Sequence, residues 1–177
     1  VRRMEVWSSR FAHAVLTAEH TKAERLIEHG VAAGKVSVLL NIPDDRLFDP
    51  LSAPPPVNLP ADPAAPFRLI YHGTLAYRHG LDRAVLALAL LKNEIPGLEM
   101  TLIGEGDHLA EIQRLRRQAG LEGRITIEDR FRPIEEIIPT LRRAHLALLP
   151  TRAEASTDYM LPTKLLEYLA LGVPALV

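Results

Sequence analysis

Lys164 and Glu167 stand three residues apart in Leu161-Pro162-Thr163-Lys164-Leu165-Leu166-Glu167. That spacing sets them on one face of a short helix. The polar stretch ahead of Pro162 reads as a loop feeding this helix, whose first turn leaves backbone N–H groups free. Free amides beside a lysine make an anion site, and a carboxylate one turn further in accepts two neighbouring hydroxyls, as on a ribose. A phosphate end and a sugar end side by side are what a nucleotide requires. A solvated Lys–Glu pair, worth about 0.2–0.5 kcal/mol, has the same spacing, so the surrounding elements have to decide.

Those elements alternate. Apolar runs predict strands at Phe67–Gly73, Glu99–Ile103, Arg124–Glu128, His145–Leu149 and Pro174–Val177. Helical spacing predicts helices over Leu81–Asn93, Asp107–Ala119, Ile134–Arg143 and Thr163–Leu171. The strands are continuous apolar runs more than alternating ones, as when helices cover both faces of a parallel sheet. The fold class is therefore α/β, a doubly wound parallel sheet, with its ligand expected at the carboxyl ends of the strands. The leucine-rich face of Leu81–Leu91 reads as core at helical spacing.

The strand ends supply further candidates. After the first strand, Gly73 lets a ligand approach the backbone, and Thr74 and Arg78 are placed to contact a diphosphate. An ordinary βα turn with a solvated arginine would look alike. Gly104 and Gly106 follow the second strand in an incomplete G-x-G-x-x-G, with Leu109 in the third glycine place. The motif reads as a tight turn with Asp107 as helix N-cap, not as a dinucleotide fingerprint. Arg130 and Phe131 follow the third strand, where either can stack on a base or Phe131 can anchor the loop from inside. The seven histidines are scattered without metal-ligand spacing and read as structural or surface residues.

Upstream, helices at Arg2–Ala12 and Glu19–His29 and strands at His13–Thr17 and Lys35–Leu40 form a short α/β segment, with Gly30 at a helix end and a turn over Asn41–Phe48. Seven of the 14 prolines fall between Pro50 and Pro66, which predicts an extended, semi-rigid connector. The domains expected are thus the tail of an upstream domain at 1–48, a linker at 49–66, and a ligand-binding domain at 67–177, cut at both ends of the chain.

Composition narrows the classes. A net charge of −1 offers no general attraction for nucleic acid or anionic lipid. The absence of cysteine excludes disulfides and thiolate metal sites and suits a reducing compartment. No apolar run nears the roughly 18–20 residues that span a bilayer.

Pro162-Thr-Lys-Leu-Leu-Glu-Tyr-Leu-Ala-Leu-Gly-Val-Pro174 resembles the donor-binding segment of retaining glycosyltransferases of the two-domain GT-B fold, group 1 or family 4 type. Phe11-Ala-His-Ala-Val-Leu-Thr-Ala18 and Val38-Leu-Leu-Asn41 resemble the elements before their interdomain crossover, and Tyr71–Asp82 resembles their diphosphate loop. The resemblance implies the Rossmann-like, C-terminal donor half of such an enzyme. It implies metal-independent transfer of a sugar from a nucleotide-sugar to an acceptor, with no cofactor.

Donor contacts are implied at Gly73, Thr74, Arg78, Gly104, Arg130, Phe131, Thr163, Lys164 and Glu167, with Glu167 on the ribose. The chain departs from the family in two places. Where the family's loop has arginine and lysine, this chain has Thr74 and His79, and Arg78 is the neighbouring cation. Counting back from Glu167 to the family's first glutamate lands on Tyr159, which leaves Glu154 and Asp158 as candidate catalytic acids.

A glycan, lipid-linked or small-molecule acceptor would be held mainly by an N-terminal domain, and these 177 residues alone are expected to bind donor without transferring. The location expected is cytoplasmic, with peripheral attachment of the full-length protein to a membrane left open. Two other readings use the same features: a GT-B sugar-nucleotide epimerase, and a non-enzymatic nucleotide- or phosphate-binding module of the flavodoxin-like type. The second should carry an acidic cluster at the first strand end, where this chain has Tyr71-His72-Gly73-Thr74.

Overall fold

The computed structural model describes residues 2–49, 59–60, 62, 64–154, 157 and 160–177. Most of the proline-rich stretch expected to be a connector lies outside these residues. The chain divides into two compact units, Val1–Ile42 with Ala153–Thr163, and Pro43–Arg152 with Lys164–Val177.

In the first unit, α1 (Arg2–Phe11), β1 (Val15–Thr17), α2 (His20–Glu28) and β2 (Val36–Val38) follow one another, and β1 pairs with β2 in parallel. Both strands are shorter than expected. Lys35 belongs to a tight 3₁₀ turn, with its N–H on the Ala32 carbonyl at 2.9 Å. Its ammonium reaches the carbonyls of Ser9, Arg10 and Ala12 at 3.4, 3.2 and 2.9 Å, placing a cation at the negative end of α1. Gly30, at φ +100°, ends α2 as anticipated. The loop before Thr163 joins this unit through Glu19, whose Oε1 accepts the Leu161 N–H at 2.9 Å.

The second unit holds a five-stranded parallel sheet in the order β5-β4-β3-β6-β7. The strands are β3 (Phe67–His72), β4 (Leu98–Ile103), β5 (Ile125–Glu128), β6 (Leu146–Leu148) and β7 (Ala175–Leu176). The helices are α3 (Leu81–Leu91), α4 (Leu109–Gln118), α5 (Ile134–Leu141) and α6 (Thr163–Ala170, whose first residue belongs to the other unit). All the expected elements are present, most ending one or two residues early.

Successive strand residues point to opposite faces, and both faces are apolar. Ile70, Ile103, Ala147 and Leu149 pack with Ile137, Ile138 and Leu141 of α5 and Tyr168 of α6. Tyr71, Leu102, Met100 and Leu148 pack with Leu81, Val85 and Leu88 of α3 and Ile112 of α4. Apolar strands of this kind have no polar face, because each side meets helices.

The chain runs β3 to β4 to β5 in one direction, then returns past β3 to place β6 and β7 on the other side. With right-handed crossovers, that reversal puts α3 and α4 on one face and α5 and α6 on the other. It also opens a crevice at the carboxyl ends of β3 and β6, where neighbouring loops leave in opposite directions.

One expectation needs correction. Asp107 does not cap α4. His108 takes that position, at φ −93° and ψ 1°, because its N–H is drawn to the Leu75 carbonyl at 2.9 Å. The inner face of α3 is core at helical spacing, as expected, while its outer face is not. Leu81, Val85 and Leu88 are buried, whereas Leu90 is 79% exposed. Ala84, Ala87 and Leu91 line an apolar groove of about 440 Å³ alongside Phe67, Leu146 and Leu176.

Leu102→Ala, at a position with no exposed surface, should cost about 2–5 kcal/mol of unfolding free energy. Leu90→Ala should stay within about 0.5 kcal/mol. Denaturant unfolding of the two variants checks the assignment of the core.

Candidate functional site

Helix α6 brings Lys164 back to the end of β3. Its ammonium donates to the Tyr71 hydroxyl at 2.9 Å and lies 4.4 Å from the centre of that ring. The Tyr71 hydroxyl in turn donates to the Thr74 carbonyl at 2.8 Å, so strand, loop and helix meet at one cation. Gly73 makes this approach possible. It sits at φ +112°, and a Cβ there would lie 2.5 Å from both Cε and Nζ of Lys164. A second glycine extends the same bare backbone: Gly104, at φ +139°, would press a Cβ to 2.1 Å from the Gly73 carbonyl.

Burial pushes the Lys164 ammonium down to about 8, with Glu167 opposing and Arg78 reinforcing the fall. The amine is a cation at neutral pH but not a heavily hydrated one, which suits capture of an anion. His79, where the family has a lysine, is held down to about 4 by burial and by the charges of Lys164 and Arg78. It contributes no positive charge at neutral pH. Arg78 is exposed in the 3₁₀ turn Tyr77–His79 that leads to α3, so the sequence departure at His79 leaves Arg78 and Lys164 as the cations here.

Glu167 lies one turn beyond Lys164. Its Oε2 is 2.8 Å from Nε2 of His72, the last residue of β3, and the far side of that imidazole is 2.9 Å from the Tyr168 hydroxyl. The scattered-histidine reading holds for most of the seven, but His72 is part of the site. Its signal was position: it directly precedes Gly73 at a strand's carboxyl end.

Sequence reasoning also passed over Arg152. Its N–H donates to the Arg78 carbonyl at 2.9 Å, its Nε to the Tyr77 carbonyl at 3.0 Å, and its guanidinium pairs with Asp82. The same group lies 3.9 Å above the Tyr77 ring. The loop after β6 is thereby clamped to the loop after β3.

The β4 and β5 loops join the same edge. Gly104 donates to the Glu128 carbonyl at 2.9 Å, Gly73 to the Ile103 carbonyl at 2.8 Å and Leu75 to the Glu105 carbonyl at 2.7 Å. Arg130 is exposed, and Phe131 is 80% exposed. Phe131 is therefore no buried anchor; its backbone N–H is fixed by Glu105 Oε1 at 2.8 Å, which leaves the ring in solvent.

Of the other candidates, Thr74 is exposed beside Gly73 and Thr163 opens α6. Glu154 is exposed in the first unit, its N–H on the Thr157 hydroxyl at 2.9 Å. Asp158 lies outside the described residues.

Several known proteins share this arrangement of elements. HepE of Anabaena, crystallised in complex with UDP and glucose, superposes with a TM-score of 0.73 at 19% identity over 98% of this chain and 47% of its own. WaaG, a glycosyltransferase involved in lipopolysaccharide biosynthesis, gives 0.65 at 18% identity over 90% and 42%.

In sequence, the amylovoran biosynthesis glycosyltransferase AmsK of Erwinia amylovora is 33% identical over 110 residues, 62% of this chain and 27% of that protein. Glycogen synthase of Mycobacterium tuberculosis is 28% identical over 158 residues, 87% and 36% respectively. The chain thus spans about a quarter to a third of these curated relatives. The profile of the family Glycosyl transferases group 1 matches residues 66–177, from just ahead of β3 through Lys164 and Glu167 to the last strand. On that match, together with a parallel sheet shared with known GT-B glycosyltransferases, the chain belongs to the glycosyl transferases group 1 family.

Proposed function

We propose that these residues form the donor-binding, C-terminal half of a retaining hexosyltransferase that takes its sugar from a nucleoside diphosphate and needs no metal ion. The observation that carries this reading is the pairing of Lys164 with Glu167 on α6, beside the bare backbone of Gly73 and Gly104. A diphosphate seated on Gly73 meets the Lys164 ammonium, with Arg78 as the outer cation. The ribose then reaches Glu167 one helical turn on, and the base runs toward Arg130 and Phe131.

HepE, bound to UDP-glucose in one of its crystal structures, and the glycosyltransferases among the relatives support a donor of this class. Chemically, the departing diphosphate gains negative charge as the sugar–oxygen bond breaks. A fixed, partly desolvated ammonium stabilises that charge more than it stabilises the ground state. The positive charge that a metal would bring is assigned to Lys164 and Arg78. Glu154 or Asp158 is assigned to the donor sugar, and the acceptor, whether glycan, lipid-linked or small, to an N-terminal domain outside these 177 residues.

Titration calorimetry with UDP, GDP, ADP and their sugar conjugates, with and without chelator, tests the reading. One nucleotide should bind saturably and equally well in chelator. Lys164→Ala and Glu167→Ala should each weaken it by about 1.5–3 kcal/mol, the worth of a charge-assisted hydrogen bond. Unchanged affinity in folded variants rejects the assigned roles. Retention is read from the anomeric proton of the product by NMR, and an inverted product rejects it.

The lysine also predicts a pH dependence. The ammonium is half lost at about 8 and gone well above that value, so affinity should be highest at about pH 7 and fall as pH rises through about 8. Lys164→Met, with nothing to titrate there, should bind weakly but without that fall between about pH 7 and about pH 10. Isothermal titrations across this range decide; a wild-type profile that stays flat removes Lys164 from the anion site.

A further inference from the structure

Glu167 is not a free side chain reaching into the crevice. His72 is 6% exposed and Tyr168 has no exposed surface, and together they tie Glu167 down from beneath. The phenol of Tyr168 stands 2.9 Å from Nδ1 of His72 and takes the His72 backbone N–H at 3.4 Å, while Nε2 meets Glu167 Oε2 at 2.8 Å. A carboxylate only accepts, so Nε2 carries the proton shared with Glu167, and in the neutral imidazole Nδ1 then accepts from the Tyr168 hydroxyl. The ring of Tyr168 stands edge-on to the imidazole, at 84° and 5.2 Å between centres, which holds the histidine in this orientation. Among the described residues nothing donates to Oε1 of Glu167, and that oxygen is left for a ligand hydroxyl.

We propose that His72 is a positioning residue for the nucleotide sugar. Through the Tyr168–His72–Glu167 relay it presets the carboxylate that receives the ribose hydroxyls, and so determines how strongly ribose is preferred to deoxyribose. The proposal rests on the ribose role of Glu167 given above. Its physical basis is preorganisation. A glutamate with three rotatable bonds must be ordered before it can grip a hydroxyl, and here the ordering takes place when the protein folds instead of when the ligand binds. A packing role alone would stabilise α6 against β3 and affect every nucleotide alike.

In the intact protein, the affinities of UDP, GDP and ADP are each compared with those of their 2′-deoxy forms, for wild type, His72→Phe, His72→Gln and Tyr168→Phe. Wild type should prefer ribose by about tenfold or more, as a charge-assisted hydrogen bond allows. His72→Phe should lose most of that preference with little change in affinity for the deoxy form. His72→Gln, whose amide keeps a donor near the place of Nε2, should restore it. Tyr168→Phe, which deletes only the hydroxyl behind the imidazole, should lower it part of the way, and it carries the test if His72→Phe does not fold.

Equal losses for ribose and deoxyribose, or a preference untouched in Tyr168→Phe and in folded His72→Phe, overturn the role of His72 while leaving Glu167 on the ribose. A wild type that binds no nucleotide, or shows no ribose preference, removes the Glu167 assignment and this proposal together.

Discussion

Between β3 and β6 the direction of winding reverses, and the functional geometry depends on that reversal. Two adjacent parallel strands send their chains to opposite faces of the sheet, so no loop crosses the gap between their carboxyl ends. The helix that begins after β6 can therefore return across the gap and present its first turn to the end of β3. Lys164, Glu167 and Tyr168 are neighbours on that helix, and Tyr71, His72 and Gly73 are neighbours at the end of the strand. The side-chain contacts that fix Lys164 and Glu167 each join a member of one set to a member of the other.

The electrostatics follow from this closeness. An ammonium packed against a tyrosine ring and bare peptide is short of water and holds its proton less tightly than a surface lysine does. The neighbouring His79, half-buried and set near two cations, is held neutral first by its burial and then by their charges. Positive charge is thus concentrated on the single amine that backbone and helix enclose, with Arg78 outside it. In the proposed reaction that concentrated charge faces the negative charge that develops on the departing diphosphate.

Much of this was legible in the sequence because it depends on local chemistry. Apolar runs announced the strands, and the spacing of Lys164 and Glu167 announced the helix that carries them both. Gly73 announced a close backbone approach. What the sequence did not display was partnership across distance. His72 and Glu167 are 95 positions apart and Arg152 and Tyr77 are 75 apart, and no periodicity couples such pairs. The loop before α6 was equally opaque: Glu19 holds Leu161 across 142 positions, through a backbone amide that any residue but proline would supply. Asp107 looked like a better cap than His108 because capping preference is local, whereas the Leu75 carbonyl that fixed the outcome lies on another loop.

Gly73 and Gly104 have a consequence for how enzymes on this scaffold can diversify. The floor they form is peptide, stacked carbonyl against Cα, and carries no side chain that substitution could vary. Drift at the floor is therefore closed by sterics, and variation at this edge is left to the rim, where Thr74, Arg78, Arg130 and Phe131 stand in solvent. A designer reshaping this edge would leave the strand ends alone and sample those four positions.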